Sequence, residues 1–471
     1  MTSSDTKTLS PTRDASGDPA ALRAPLLFLA LESHRPFAPA ARLSLAGVDE
    51  VTFGRGPQRS FERVASSGRS GRIVVRVDDA WMSTNHARIG KVLGRFTIED
   101  SGSKNGTRVN GEPVTRAALA DGDLIEVGRT FFVFREGLVI TPDDPPIVEV
   151  AADQTKAPGL ATLLPALRRA YETLAVIARS TLPILVTGET GTGKEVTARA
   201  IHALSGRPGA YVAVNCAALP ESLVEAELFG HRRGAFSDAK EDRPGLVRAA
   251  DRGTLFLDEI GELRPPAQAA LLRVLEEREV RPIGATAPVK VDVRFVSATN
   301  RGLERMVSAG TFRADLFHRL AGHHIELLPL RERREDLWLV AASLIERHAG
   351  AEASRVRFHP SAARVMFEHA FPGNARELEK VLGAALALAA GGEIGLEHLP
   401  AWARGEASGD EPAGATKEAA GEGEPLREEL VRLFREHKGN VSAVARVMGK
   451  ARMQVQRWMK RYGIDPEAFK K

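Results

Sequence analysis

Cysteine is almost missing from this chain: its 471 residues include one, Cys216. A lone thiol excludes an intramolecular disulfide framework and fits a reducing compartment. Long apolar runs are missing too. Nothing approaches the ~20 residues that a helical membrane span needs, and the N-terminus lacks the basic-then-apolar order of a secretory signal. These absences predict a cytoplasmic protein with no membrane partner. Strong net charge is also absent, at +4, but its distribution is uneven. Residues 426–471 carry twelve Lys/Arg against five Asp/Glu, so a basic tail follows a slightly acidic body. That asymmetry points to a nucleic-acid contact near the C-terminus.

A hydrophobic content of 43% suffices for packed cores, and the length suits roughly three domains at ~150 residues each. No internal repeats occur. Residues 1–24, rich in Ser, Thr, Asp, Ala and Pro, are expected to be disordered. From 25 to 137 short β-runs such as 72–77, 95–99 and 130–134 are split by Asn105-Gly106, Asn110-Gly111 and Asp121-Gly122 turns. That pattern predicts a β-sandwich. Residues 138–160, with a Pro/Asp stretch at 141–146, read as a linker. Helices then alternate with strands over 161–330, which implies a parallel sheet, and 331–402 is helical throughout. A second linker is expected at 403–424. Residues 425–471 close the chain as a compact helical unit. The predicted fold class is therefore multidomain: an N-terminal β-sandwich, a central α/β domain with a parallel sheet and a helical lid, and a C-terminal all-α unit.

Chemistry is densest at Gly188-Glu189-Thr190-Gly191-Thr192-Gly193-Lys194. This glycine-rich turn lies between an apolar run at 182–187 and a helical pattern at 195–204. Such a turn aims backbone N–H groups at one point, where the helix N-terminus and Lys194 add positive charge. The spacing is that of a Walker A phosphate cradle, with Glu195 in place of the usual Ser/Thr. A second signature is the apolar run 254–257 ending in Asp258 and Glu259. An acid at such a strand end can hold Mg²⁺ beside the phosphates, and the next can polarise an attacking water. Asp258 is assigned to the metal and Glu259 to the water, with ATP and Mg²⁺ as the expected cofactors.

Seven ordered motifs over about 182–380 resemble the AAA+ domain of sigma-54-dependent transcription activators, the bacterial enhancer-binding proteins. They begin with the phosphate loop and continue through Val214-Asn215-Cys216-Ala217-Ala218-Leu219, Glu227-Leu228-Phe229-Gly230-His231 and Gly253-Thr254-Leu255-Phe256-Leu257-Asp258-Glu259-Ile260. Phe312-Arg313-Ala314-Asp315-Leu316-Phe317-His318-Arg319-Leu320, Leu330-Arg331-Glu332-Arg333-Arg334-Glu335-Asp336 and Pro372-Gly373-Asn374-Ala375-Arg376-Glu377-Leu378 complete the set. In this family a glutamate after the lysine is normal. The resemblance implies that Asn215 senses Glu259, that Thr299 and Asn300 read the γ-phosphate, and that Arg313 and Arg319 are arginine fingers reaching a neighbour's ATP. It also implies that Arg376 contacts nucleotide within its own subunit, and that a homo-oligomer, from dimer to hexamer, is the working state. The family's sigma-gripping loop reads Gly-Ala-Phe-Thr-Gly-Ala; here it is Gly234, Ala235, Phe236, Ser237, Asp238, Ala239. Asp238 in place of glycine adds charge and restricts φ.

Residues 25–137 resemble a forkhead-associated (FHA) domain, a phosphothreonine-binding sandwich. The patterns that carry the likeness are Phe53-Gly54-Arg55, the run 83–89 and the run 101–111, followed by 121–128. The resemblance implies that Arg55 and Ser83 bind phosphate, that Asn105 holds the peptide backbone and that His86 supports the binding loops. Thr84 stands where the family often has Arg, and residues 57–71 form a long loop. A Ser/Thr kinase or its phosphoprotein product is the implied partner. The C-terminal unit resembles a Fis-type helix-turn-helix, with Arg452, Gln454, Gln456, Arg457 and Lys460 as candidate DNA contacts and Val444, Val447, Val455 and Trp458 as core. The combined expectation is an ATP-driven activator of sigma-54 RNA polymerase that binds upstream DNA. The alternative is a DNA-bound regulator or protein remodeller that does not engage sigma-54.

Overall fold

Period-2 burial builds the N-terminal sandwich, and the strands that break the period show what it packs against. The computed structural model describes residues 22–64, 71–152, 159–220, 223–236, 239–404, 423–437 and 441–448, together with Val455, Trp458, Met459, Tyr462, Ile464 and Phe469. Among these the N-terminal strands are β1 (Leu22–Glu32), β2 (Ala40–Ser44), β3 (Val48–Arg55), β4 (Ser60–Val64), β5 (Gly71–Val77), β6 (Ala87–Val92), β7 (Arg95–Asp100), β8 (Thr107–Val109), β9 (Glu112–Val114), β10 (Arg116–Ala118), β11 (Leu124–Val127), β12 (Thr130–Ile140) and β13 (Ile147–Val150). One sheet runs β13-β2-β1-β12-β11-β8-β9 and the other β10-β7-β6-β3-β5-β4. Alternate residues such as Val51, Phe53, Ile73, Val75 and Ile89 meet Leu27, Leu29, Phe132 and Phe134 between the sheets.

β1 and β12 do not alternate between core and solvent. Leu26, Phe28, Ala30, Phe131 and Val133 point away from the sandwich core, yet they too are buried. They belong to a second apolar cluster shared with the ATPase, including Leu164, Ile184, Trp338 and Phe367. A strand covered on both faces reads as a continuous apolar run, as 26–31 does.

The central domain begins with α1 (Pro165–Ile177), whose proline at the first turn suits a helix start. There follow β14 (Ile184–Gly188), α2 (Lys194–Ser205), β15 (Tyr211–Asn215), α3 (Val224–Phe229), α4 (Leu246–Ala249), β16 (Thr254–Asp258), α5 (Pro265–Glu277), a hairpin of β17 (Glu279–Val280) and β18 (Val289–Lys290), β19 (Arg294–Thr299), α6 (Leu303–Ser308), α7 (Ala314–Leu320) and β20 (His323–Leu327). The five-stranded sheet β15-β16-β19-β14-β20 is parallel throughout. In such sheets ligands bind outside the carboxyl ends of the strands. The lid contains α8 (Leu337–Ala349), β21 (Arg357–Phe358), α9 (Pro360–Glu368), α10 (Asn374–Ala389) and β22 (Glu393–Ile394).

Three expectations change. Residues 141–150 are not a free linker. β13 pairs with β2, and Asp144 takes ion pairs from Arg42 (3.5 Å) and Arg169 (2.7 Å). Burial of the Arg42 guanidinium is tolerable only with such a partner. The long loop 57–71 holds β4, antiparallel to β5, and the sandwich extends outward from 25–137 to include residue 22 and β13.

The C-terminal unit, residues 407–471, forms its own compact body. It contains α11 (Gly423–Glu436) and α12 (Val441–Val447). Leu430, Leu433, Phe434, Val444, Val455 and Ile464 are its buried apolar residues, and Trp458 packs on them. Val447, expected in the core, is instead exposed, at the last residue of α12. Arg452, Gln454, Gln456, Arg457 and Lys460 lie outside the described residues. Among the described residues no helix is long and apolar enough to cross a membrane.

Candidate functional site

The turn after β14 has the backbone that its glycines permit. Gly188, Gly191 and Gly193 take φ of 151°, 79° and 102°, the region that side-chain-bearing residues avoid. A Cβ on Gly191 would stand 2.3 Å from the Gly373 carbonyl oxygen. α2 starts at Lys194 with Gly193 as its N-cap, so its free N–H groups face the turn. Lys194 Nζ donates to the carbonyls of Gly188 (3.0 Å) and Glu189 (3.2 Å). Burial lowers the Lys194 pKa, while the charges of Glu259 and Asp258 oppose that shift and Arg376 adds to it. The field at the ammonium therefore brings β14, β16 and the lid to one place.

Asp258 ends β16, with Asn215 opposite it at the end of β15. Asn215 Oδ1 accepts from Ala217 N–H at 2.9 Å, so its side chain caps the following turn. Glu259 adopts φ 51°, a left-handed conformation that a non-glycine residue enters at a cost. Its carboxylate receives the Asn300 N–H at 3.4 Å, and Asn300 Nδ2 reaches Thr190 Oγ1 at 3.1 Å. Thr299 is buried and accepts from Arg301 N–H at 3.0 Å. Asn300 thus ties the Glu259 carboxylate to the turn. Glu195 lies one residue past Lys194 and turns outward to Arg199, 2.8 Å away.

Arg313, the residue before α7, and Arg319 on its last turn are both exposed. Arg313 makes a two-pronged bond to Asp315 (3.0 and 2.7 Å), and Arg319 reaches the Leu275 carbonyl at 3.5 Å. Sequence reading missed Gln268, which is fully buried on α5. It donates to the carbonyls of Leu263 (2.8 Å) and Thr311 (3.1 Å) and accepts the Arg313 N–H (2.9 Å), fixing where α7 begins.

The lid grips the turn through residues that sequence reading also missed. Buried Asn374 donates to Thr190 O (3.0 Å) and Glu189 Oε2 (3.2 Å) and accepts from Leu330 N–H (2.9 Å). Arg331 forks onto both Glu189 oxygens, and Arg333 reaches Thr192 O at 3.1 Å. The Arg331 hydrogen bond, with help from Asn374, pulls the Glu189 pKa down to about 2 against the effect of burial. Arg376 sits on the first turn of α10, exposed, with its Cβ beside Gly191. Cys216 is buried and free, and burial pushes its thiol up to about 12, which leaves it inert.

In the stretch 234–239, Gly234 N–H donates to Ala239 O (2.8 Å) and the Phe236 ring meets His231 edge-on at 4.9 Å. Phe236 is thus half-buried against its own domain, with Ala235 beside Gly284. Ser237 and Asp238 lie outside the described residues.

A second site forms at one end of the sandwich. His86 is fully buried; its Nδ1 accepts the Ser83 N–H (3.0 Å), so Nε2 carries the proton and donates to Gly106 O (3.1 Å). Ser83 Oγ accepts the Lys104 N–H (3.1 Å), and Asn105 Nδ2 donates to Trp81 O (2.7 Å). Arg55 N–H bonds Ser83 O at 3.0 Å, and its side chain is exposed beside these loops. Gly54 is packed so closely that a Cβ would stand 1.9 Å from Thr84 O and 2.2 Å from Arg76 Nη1. Arg76 donates to Thr84 O at 2.6 Å, bringing a cation to the position where Thr84 supplies none. The structure thus gathers Arg55, Ser83, Thr84, His86 and Asn105, and adds Lys104 and Arg76.

Comparison with known proteins agrees with this geometry. Residues 160–326 match the sigma-54 interaction domain, 331–416 the AAA+ ATPase lid domain and 65–128 the FHA domain. The chain is 36% identical over 392 residues to the Nif-specific regulatory protein of Bradyrhizobium diazoefficiens, covering 74% of this chain and 67% of that protein. It belongs to the sigma-54-dependent transcription regulators. Regulatory protein AtoC of Escherichia coli is 42% identical over 312 residues, 64% of this chain and 67% of AtoC. GlrR of the same species is 38% identical over 322 residues, 68% and 71% of the respective chains. Within this family the present regulator joins an AAA+ sigma-54 interaction domain and lid to an N-terminal FHA sandwich.

Proposed function

We propose that this regulator hydrolyses ATP in an oligomeric ring to remodel sigma-54 RNA polymerase at promoters whose upstream DNA its tail binds. The observation that carries the reading is the convergence of the Gly188–Lys194 turn, Asp258, Glu259, Thr299 and Asn300 at the carboxyl edge of one parallel sheet. Backbone N–H groups and Lys194 bind the triphosphate. Asp258 offers hard carboxylate oxygens that suit Mg²⁺, which when bound neutralises phosphate charge. Glu259 orients and deprotonates the water, Asn215 senses Glu259, Thr299 and Asn300 read the γ-phosphate, and Arg376 holds the nucleotide from the lid. Arg313 and Arg319 bond to Asp315 and to the Leu275 carbonyl, and their exposure suits donation to a neighbour. The Asp315 partner holds Arg313 weakly, since exposed pairs contribute little.

The FHA site reads phosphothreonine, with Arg55, Arg76 and Lys104 supplying charge and Ser83 a hydroxyl. A Ser/Thr kinase acting on this chain or on a partner thereby sets ring activity. The DNA roles of Arg452, Gln454, Gln456, Arg457 and Lys460 rest on sequence. A second reading, a DNA-bound remodeller of some other protein, is favoured by Asp238 in the sigma-gripping loop. Retention of sigma-54 on the protein with an ATP transition-state analogue, lost in Phe236→Ala, supports the first reading; no retention favours the second. Glu259→Gln is expected to bind ATP without releasing phosphate, and normal turnover in that variant contradicts the role of Glu259.

A further inference from the structure

The sandwich is joined to the lid through buried charge. On β11, Glu126 is almost fully buried and receives both prongs of Arg364 from α9 (2.6 and 2.8 Å). On β12, Arg135 bonds the buried carboxylate of Glu335 (2.6 Å), which precedes Asp336 in the segment that leads into α8. Phe131 stacks on Phe367 at 5.6 Å, and Phe358 N–H bonds Ser33 O at 2.9 Å. The turn between β11 and β12 adds Arg129, bonded to Glu393 of β22 at 3.1 Å.

The same turn anchors the sandwich loop that carries Asp79, Trp81 and Ser83. Asp79, itself buried, accepts Arg129 N–H (2.6 Å), Thr130 Oγ1 (3.2 Å) and Trp81 N–H (2.8 Å). The Arg129 guanidinium lies 4.9 Å over the Trp81 ring, and Trp81 O takes the Asn105 amide. A Cβ on Gly128 would stand 2.7 Å from Asp79 Oδ2 and 2.9 Å from Met82 N, so turn and loop interlock. At the other end, the lid reaches the ATP turn through Asn374, Arg331 and Arg333.

We infer that phosphopeptide binding at the Arg55–Ser83–Asn105 loops and nucleotide binding at the Gly188–Lys194 turn are thermodynamically coupled through the β11–β12 turn and its two lid ion pairs, Glu126–Arg364 and Arg129–Glu393. This rests on the phosphopeptide reading above. These bonds tie the loop to the lid through the β11–β12 turn, and α10 of the lid touches the ATP turn. By reciprocity, each ligand changes the affinity for the other by the same factor.

The test uses full-length protein and a labelled phosphothreonine peptide drawn from a degenerate library. Its Kd is measured with and without a non-hydrolysable ATP analogue. The expected ratio departs from one by about 5-fold or more, with the same factor in the analogue's own Kd when peptide is added. Arg364→Ala/Glu393→Gln, which touches neither binding loop, brings the ratio to about one while nucleotide-free peptide affinity stays within about 2-fold. Glu393→Gln alone, removing a half-exposed pair that the fold tolerates losing, lowers the ratio part-way. A ratio of one in the unaltered protein, or an unchanged ratio in the double variant, overturns the inference while leaving the phosphopeptide reading intact. Absence of phosphate-dependent peptide binding overturns both.

Discussion

Removing Arg364 tests how firmly the FHA sandwich is fixed to the lid. Its guanidinium satisfies both oxygens of Glu126, whose side chain is 4% exposed, and keeps 25% of its own surface in water. Arg364→Ala would leave a carboxylate in a nearly dry interface with no counter-charge. Breaking a buried pair in this way costs about 3–5 kcal/mol. Partial solvation of Arg364 places the expected loss at the lower end, about 3 kcal/mol. Apolar contacts around Phe131 and Phe367 remain, so the interface should loosen rather than vanish. Hydrogen exchange of the full-length protein reads this locally: amides of β11, β12 and α9 should exchange about 100-fold faster, while those of β14 and β16 change little. Glu126→Gln/Arg364→Ala, which removes the orphaned charge, should recover much of the loss. Protection in Arg364→Ala within 2-fold of the unaltered protein would refute the reasoning.

Gly191→Ala places a Cβ at φ 79° and 2.3 Å from Gly373 O; lid and turn must separate, and fluorescent-nucleotide titration should show affinity falling by about 10-fold or more, from left-handed strain of about 1–2 kcal/mol. Asp336, buried and bonded to Thr162 Oγ1 (2.6 Å) and Leu163 N–H (2.7 Å), has its pKa pushed up by burial from 3.8 to about 6. A carboxyl whose folded pKa is raised favours folding below about pH 4, and that contribution is lost as pH rises through 6. The window is worth about 3 kcal/mol at 1.36 per unit, so melting scans of Asp336→Asn should lack the decline between pH 4 and 6 that the unaltered chain shows.

Local chemistry was legible in the sequence wherever a motif and its element coincide. The glycine-rich turn 188–194 lies between a strand and a helix, Asp258 ends its strand, and the loops bring Arg55, Ser83, His86 and Asn105 to one end of the sandwich. What sequence reading missed depends on contacts between residues far apart in the chain. Arg331 and Arg333 meet a turn some 140 residues earlier, and Arg364 meets a strand 238 residues away. No local period records such pairs. One signal was present: residues 26–31 are apolar without alternation, which a sandwich strand with one wet face would not be. Asp144 and β13 read as linker in the sequence because Pro and Asp are turn residues, whereas charge pairing of Asp144 with Arg42 and Arg169 and pairing of β13 with β2 hold them in place.

The central claim is that phosphate release needs arginines from an adjacent protomer. Phosphate release by full-length protein should therefore rise more steeply than in proportion to protein concentration. Arg313→Ala should abolish it while ATP binding persists, and mixing Arg313→Ala with Lys194→Ala protein should restore part of it. Turnover that is strictly proportional to concentration and unchanged in Arg313→Ala would contradict the account.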